Sequence, residues 1–175
     1  DLDNTICSTD KKIKKYSNIY CQEKQIDEEV LWTKDEYKQD FLRLYLEKIY
    51  KEAQLKQNCK KVLQELKKKN YKLLIITARR NKYLSVDMET FIYNYFKKRS
   101  IIIDGIILDA KDKVDACKEK KVDIMLEDSV YNYNLLKESN VNVVLFDEKN
   151  NSEIKQKITN WNQFLEYISK YVKRV

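Results

Sequence analysis

From residue 71 onward the chain alternates short apolar runs with amphipathic stretches, and this alternation restricts the possible folds more than any other feature. The runs cover 71–76, 105–108, 122–126 and 142–146, and each reads as a buried strand. Between them, helical spacing recurs at 83–98, about 113–120 and 131–139; a last helix carries Trp161, Phe164, Leu165, Ile168 and Val172. A series of this kind predicts an α/β fold, a Rossmann-like parallel sheet with helices on both faces.

The first 70 residues behave differently, with no convincing strand and two strong helix patterns. One opens at Thr33-Lys34-Asp35-Glu36, which reads as a capping box, and carries Tyr37, Phe41, Leu44, Tyr45, the Lys48 stem and Ile49 as its apolar stripe. The other begins near Asn58, turns Val62, Leu63 and Leu66 inward, and can end at Asn70, which tolerates a left-handed cap. The expected organisation is an α/β core, residues 1–8 and 58–175, with a small helical cap over residues 9–57.

Composition removes several functional classes. The 175 residues include one glycine, Gly105, no proline and no histidine. Glycine-rich phosphate loops and dinucleotide fingerprints are therefore excluded, as are Ser-His-Asp triads and the common zinc sites. Carboxylates and lysines must carry any acid/base chemistry. The four cysteines, Cys7, Cys21, Cys59 and Cys117, show no metal-binding spacing and read as reduced thiols of a cytoplasmic protein. The apolar runs are far too short to span a membrane. A net charge of +7 comes mostly from lysines on helical stretches, so it reads as solvated helix faces, and nucleic acid is not expected as a partner.

The polar residues that can do chemistry cluster at predicted strand ends. Asp1-Leu2-Asp3-Asn4-Thr5 sets two carboxylates one residue apart, which an extended segment would turn to the same side. The run 73–76 leads into Thr77-Ala78-Arg79, and Ile124-Met125-Leu126 leads into Glu127-Asp128-Ser129. Taken singly, Thr77 reads as a helix cap and Glu127-Asp128 as a turn. Ligands of open α/β sheets bind beyond the carboxyl ends of strands, so three such clusters point to one pocket. Arg79 can reach a substrate or form a salt bridge. Trp32, Tyr37, Phe41 and Tyr45 can stack on a nucleobase, although their helical spacing favours a core internal to the insert.

These motifs resemble the haloacid dehalogenase superfamily of aspartate-dependent phosphohydrolases. Asp1-Leu2-Asp3-Asn4-Thr5 is similar to its first motif, Thr77 to its second, Lys111 or Lys113 to its third, and Glu127-Asp128-Ser129 to its fourth. The Asp112-Lys113 pair favours Lys113. Ile76-Thr77-Ala78-Arg79, Cys117-Lys118-Glu119, Leu126-Glu127-Asp128-Ser129, Leu145-Phe146-Asp147 and Asn160-Trp161 resemble bacterial relatives of the 5'(3')-deoxyribonucleotidases.

The resemblance implies Asp1 as nucleophile, Asp3 as general acid/base, Thr77 as a phosphoryl hydrogen-bond donor and Lys113 as neutraliser of developing charge. It implies Mg²⁺ held by Asp1, the Asp3 main-chain carbonyl and Asp128, with Glu127 orienting metal-bound water. Thr5, Thr77, Ala78, Arg79 and Lys113 would line the phosphate and substrate site. It also puts Asp1 at the end of a central apolar strand that this chain is expected to lack. The expected activity is hydrolysis of a small phosphate monoester, a (deoxy)nucleoside 5'-monophosphate first. A sugar phosphate or nucleic-acid end, or a non-catalytic binding role, are the alternatives. A homodimer is left open.

Overall fold

The computed structural model describes residues 1–172, the side chain of Val172 excepted; residues 173–175 of the expected core lie outside the described residues. Five strands and eight helices follow in chain order. Helices α1 (Thr9–Lys24), α2 (Glu28–Thr33) and α3 (Asp35–Glu52) come first, then α4 (Cys59–Lys68) leads into β1 (Leu74–Ile76). The remainder alternates: α5 (Met88–Lys97), β2 (Gly105–Ile107), α6 (Lys113–Glu119), β3 (Met125–Glu127), α7 (Val130–Glu138), β4 (Val143–Phe146), β5 (Lys157–Ile158) and α8 (Trp161–Val172).

The pairings among β1–β5 are all parallel. β1 pairs with β2, Leu74 opposite Gly105, and β3, β4 and β5 form a second group in that order. The single glycine sits where a Cβ would come within 3.1 Å of Leu74 Cδ2. Alternate strand residues go to opposite faces. Ile75, Leu126 and Val144 share one core with α4, α5 and α8, whereas Ile76, Met125, Val143 and Leu145 pack with α6 and α7. The expected layered α/β architecture, with helices on both faces, is therefore present. Among the described residues no helix is long and apolar enough to cross a membrane.

Between β1 and β3 runs an apolar slot of about 480 Å³, walled by Leu74, Ile76, Met125 and Leu126 and floored by Leu66 and Phe164. The Asp1 amino group stands at its mouth and donates to the Leu126 carbonyl at 2.7 Å.

The insert differs from the expectation in detail. It holds three helices, packed around Tyr16, Tyr20, Leu31, Phe41 and Ile49. α1 escapes apolar patterning because its inward residues include Tyr16, Ser17 and Tyr20, which read as polar or ambiguous among many lysines. The capping box at Thr33 does not form. Thr33 ends α2, its hydroxyl donates to the Glu29 carbonyl at 2.7 Å, and Lys34 caps α3 without a side-chain bond. Leu44 is 56% exposed and leaves the stripe that Phe41 and Ile49 define. The observed strands are shorter than the apolar runs, and β5 was not expected because two residues carry no periodicity. α5 starts at Met88, not near 83, because Asp87 accepts from the Thr90 amide at 2.9 Å and sets the first turn there. Asn70, with φ 63°, closes α4 as expected. The four cysteines are unpaired thiols.

Candidate active site

The loop after Asp1 curls rather than continuing straight. Asn4 takes φ 56°, a left-handed conformation that asparagine tolerates, and its Oδ1 accepts from the Asp10 amide at 3.0 Å. Asp1 and Asp3 consequently meet different partners, although both lie on the carboxyl side of the sheet. Thr77 follows β1, Glu127 ends β3, and Lys113 opens α6, so one rim collects all three.

Lys113 is the hub. Its ammonium lies 2.7 Å from Asp1 Oδ1 and 2.6 Å from Glu127 Oε2, and all three side chains are buried. Asp112 caps α6 by accepting from the Val114 amide at 2.8 Å, which aims Lys113 inward from the first helical position. Lys111 is exposed. Of the two candidate lysines, only Lys113 reaches Asp1.

Glu127 is held from several sides. Oε2 accepts from Lys113, while Oε1 accepts from the Ser129 amide at 3.2 Å and Asn132 Nδ2 at 3.1 Å. Its neighbour Asp128 accepts a 3.3 Å hydrogen bond from Thr5 Oγ1. The Thr5 carbonyl in turn accepts from Trp161 Nε1 at 3.1 Å. Burial, and next the Glu127 charge, push the Asp128 carboxyl up to about 6.

Asp3 faces the other side of the rim. Arg79 Nε donates to its Oδ2 at 2.9 Å and Nη2 to its Oδ1 at 2.6 Å, and the Thr9 hydroxyl adds a third bond to Oδ1 at 2.5 Å. Burial alone would raise this carboxyl, but the Arg79 guanidinium and the Arg79 and Thr9 hydrogen bonds bring it below the ordinary range. Thr77 is buried, and its hydroxyl accepts from the Arg79 amide at 3.3 Å. Ala78 is exposed.

Carboxylate oxygens of Asp1, Glu127 and Asp128 all lie within 4.8 Å of one another. Magnesium takes oxygen ligands at about 2.0–2.1 Å, so neighbouring ligands of its octahedron stand about 3 Å apart and the carboxylates would draw together around the ion. Three carboxylates against one lysine also leave a negative excess that a divalent cation would offset. With both Glu127 oxygens engaged by protein donors, Asp1 and Asp128 are the groups left to hold it. The donor set fits magnesium.

Four aromatic residues form the core of the insert, the reading that their helical spacing favoured. Trp32, Phe41, Tyr37 and Tyr45 pack inside the insert, with Trp32 edge-on to Phe41 at 5.5 Å and Tyr45 5.6 Å from Phe41. An aromatic of the insert that does approach the rim is Tyr50, near the end of α3, whose ring lies 3.6 Å from Arg79 Cζ. Tyr50, Thr9 and Asn132 carry no motif signal. Only helical register could have pointed to Tyr50, since it stands one residue beyond the buried Ile49.

The fold is similar to that of solved hydrolases. A haloacid dehalogenase-like family hydrolase from Streptococcus pneumoniae superposes with a TM-score of 0.72 at 18% identity, covering 96% of this chain and 95% of that one. A phosphatase of the same superfamily from Thermococcus onnurineus superposes with a TM-score of 0.65 at 15% identity, covering 95% and 94%. The protein has the haloacid dehalogenase fold, as the motifs led one to expect. No family model matches the chain. In sequence it is 34% identical over 123 residues to the Bacillus subtilis (strain 168) protein "Putative nucleotidase YqfW". That match takes in 69% of this chain and 61% of the relative, less than two thirds of its length.

Proposed function

We propose that the protein is a magnesium-dependent phosphatase of small phosphate monoesters, with a (deoxy)nucleoside 5'-monophosphate as substrate. The observation that carries this reading is the meeting of Asp1, Lys113, Glu127 and Asp128 on one buried rim, beside Thr77 and Asp3. The fold neighbours and the printed name of the Bacillus subtilis relative support the substrate class.

Magnesium, held by Asp1, Asp128 and the Asp3 main-chain carbonyl, would offset the repulsion between an attacking carboxylate and a phosphoryl group. Lys113 pairs with the Asp1 carboxylate and holds it in place. An Asp1 oxygen forms a bond to phosphorus as the bond to the leaving oxygen breaks, giving an aspartyl-phosphate. Asp3 gives its proton to that leaving oxygen, then takes one from the water that hydrolyses the acyl-phosphate. Arg79 favours the ionised form needed for the second step, whereas the charge of an approaching phosphate favours the protonated form needed for the first. The Thr77 hydroxyl donates to the phosphoryl group in transit. Phosphate leaves, and Asp1 is restored.

The test is phosphate release from a panel of nucleoside monophosphates and sugar phosphates, with and without magnesium. Turnover should vanish on chelation and in Asp1→Asn, which keeps the shape of the site without a competent nucleophile. Undiminished turnover in Asp1→Asn would rule the mechanism out.

A further inference from the structure

Arg79 has a built environment that the scheme above uses only as a background charge. It is 6% exposed, and its main chain is fixed on both sides: its amide donates to Thr77 Oγ1 at 3.3 Å and its carbonyl accepts from the Asp109 amide at 2.8 Å. From that anchor the guanidinium meets Asp3 through two separate nitrogens, Nε at 2.9 Å and Nη2 at 2.6 Å, one to each carboxylate oxygen. A two-point bond of this kind fixes the plane of the carboxylate as well as its position; a single point charge such as lysine would leave the plane free.

Two parts of the insert complete the grip. Thr9, the first residue of α1, donates to Asp3 Oδ1, and Tyr50, near the end of α3, lays its ring over the guanidinium at 3.6 Å. Arg79 is thus confined between a carboxylate at one edge and an aromatic face, with its backbone tied to the strand-end loop. A residue serving chiefly to bind incoming phosphate would not have its hydrogen-bonding edge committed to a carboxylate of the same site.

We propose that Arg79 is a positioning residue for Asp3, setting the carboxylate plane from which a proton is exchanged with the leaving group, and that Tyr50 holds Arg79 in that grip. This rests on the reading of Asp3 as the proton-transfer group. It assigns Arg79 to the acid/base apparatus, where the motif resemblance implied a substrate contact. It also makes the end of α3 part of the reacting centre, since the insert supplies both Thr9 and Tyr50.

The experiment follows single-turnover release of the leaving group, the step before hydrolysis of the acyl-phosphate, in the full-length protein with magnesium for two substrates: a nucleoside 5'-monophosphate, whose alkoxide leaving group needs a proton, and p-nitrophenyl phosphate, whose phenolate leaves without one. Arg79→Met should lower the rate of nucleoside release about 100-fold, the scale of general acid/base assistance, with the half-saturating substrate concentration changed less than about threefold and far less effect on p-nitrophenol release. Arg79→Lys should restore no more than about a tenth of the lost rate, because the charge returns without the fork. Asp3→Asn should show the same substrate selectivity, and the double variant Asp3→Asn/Arg79→Met should be no slower than Asp3→Asn alone. A rise in the half-saturating concentration with the rate of release unchanged, or equal losses in the rate of release on both substrates, would overturn the proposal in favour of a substrate contact.

Failure of the parent reading looks different: Asp3→Asn would then keep its nucleotide activity whatever Arg79 does. A readout independent of turnover is a crystal structure of Arg79→Met, in which the Asp3 carboxylate should rotate from its place while Asp1 and Lys113 stay. An unmoved Asp3 would overturn the proposal. If Arg79→Met does not fold, Tyr50→Leu, which keeps the ion pair, carries both measurements; it should give a smaller loss of the same selectivity, and unaltered kinetics with an unmoved Arg79 would refute the grip.

Discussion

The Lys113 ammonium lies 2.7 Å from the Asp1 carboxylate, although 112 residues separate the two in the chain. The contact exists because α6 begins where the loop after β2 reaches the carboxyl edge of the sheet, and because Asp1 is seated beside β3. The same ammonium touches Glu127, so one buried cation balances two buried anions.

Removing that cation should therefore be costly. Lys113→Met would leave Asp1 and Glu127 as neighbouring buried carboxylates without their partner, and a loss of about 3–5 kcal/mol is expected. Urea unfolding at neutral pH measures it. Lys111→Met, at an exposed position two residues earlier, should change stability by no more than about 0.5 kcal/mol.

Magnesium should stabilise the fold as well as serve the reaction. The carboxylate excess at Asp1, Glu127 and Asp128 is relieved by a divalent ion that the unfolded chain cannot bind as well. At a hundredfold excess over its dissociation constant the ion would contribute about 2.7 kcal/mol, or roughly 5–10 °C in Tm. Calorimetry with and without magnesium should show that shift in the parent protein and little of it in Asp128→Asn.

The insert is docked to the core by a group with a clear pH signature. Glu47 of α3 accepts from the Ser85 amide at 2.8 Å and the Ser85 hydroxyl at 2.7 Å, and pairs with Lys51. The Lys51 bond first, then those from Ser85, bring its carboxyl down to about 2. A carboxyl lowered on folding contributes stability above its unfolded pKa and loses it as the pH falls through the folded value. The stability gap between the parent and Glu47→Gln should thus be open at pH 7 and close between about pH 4.5 and 2, read from urea midpoints.

The Trp161 indole tethers the first loop from the far end of the chain. It is buried and donates to the Thr5 carbonyl at 3.1 Å, and Thr5 in turn bonds Asp128. Trp161→Phe keeps the ring in the core but leaves that carbonyl unpaired, a loss of about 1–3 kcal/mol by urea unfolding. A fall in magnesium affinity should accompany it, measured by titration calorimetry.

The apolar slot between β1 and β3 should accept a strand. Joining an extended apolar segment of five or six residues ahead of Asp1 would place its side chains against Leu74, Ile76, Met125 and Leu126 and pair two open strand edges. A gain of at least about 2 kcal/mol, some 4–8 °C in Tm, is expected relative to the chain that begins at Asp1. A polar segment of equal length should give no such gain.

Much of the fold was legible because its signals are local. The runs ending at Ile76, Leu126 and Phe146 alternate with helical spacing, and a residue's burial in such a run depends on neighbours two to four positions away. Thr77 and Glu127-Asp128 were readable for the same reason: polar groups at the end of an apolar strand have only the rim to occupy. Signals failed where a side chain is ambiguous by itself. Tyr16 and Tyr20 are buried in α1 although tyrosine is as common at surfaces, and the Thr33-Lys34-Asp35-Glu36 string fits a capping box that the turn between α2 and α3 does not make.

The amino-acid order alone determined which residue types stand at each strand end, and hence that carboxylates, a hydroxyl and a lysine would have to do the work. Only the tertiary structure decided who touches whom: Lys113, which the Asp112-Lys113 pair already favoured, on both Asp1 and Glu127, Arg79 on Asp3, Tyr50 on Arg79. Local periodicity sets which way a side chain points from its own element. The separation and angle between elements come from packing of the whole core, and contacts of 2.6–2.9 Å across more than 70 residues depend on that packing alone.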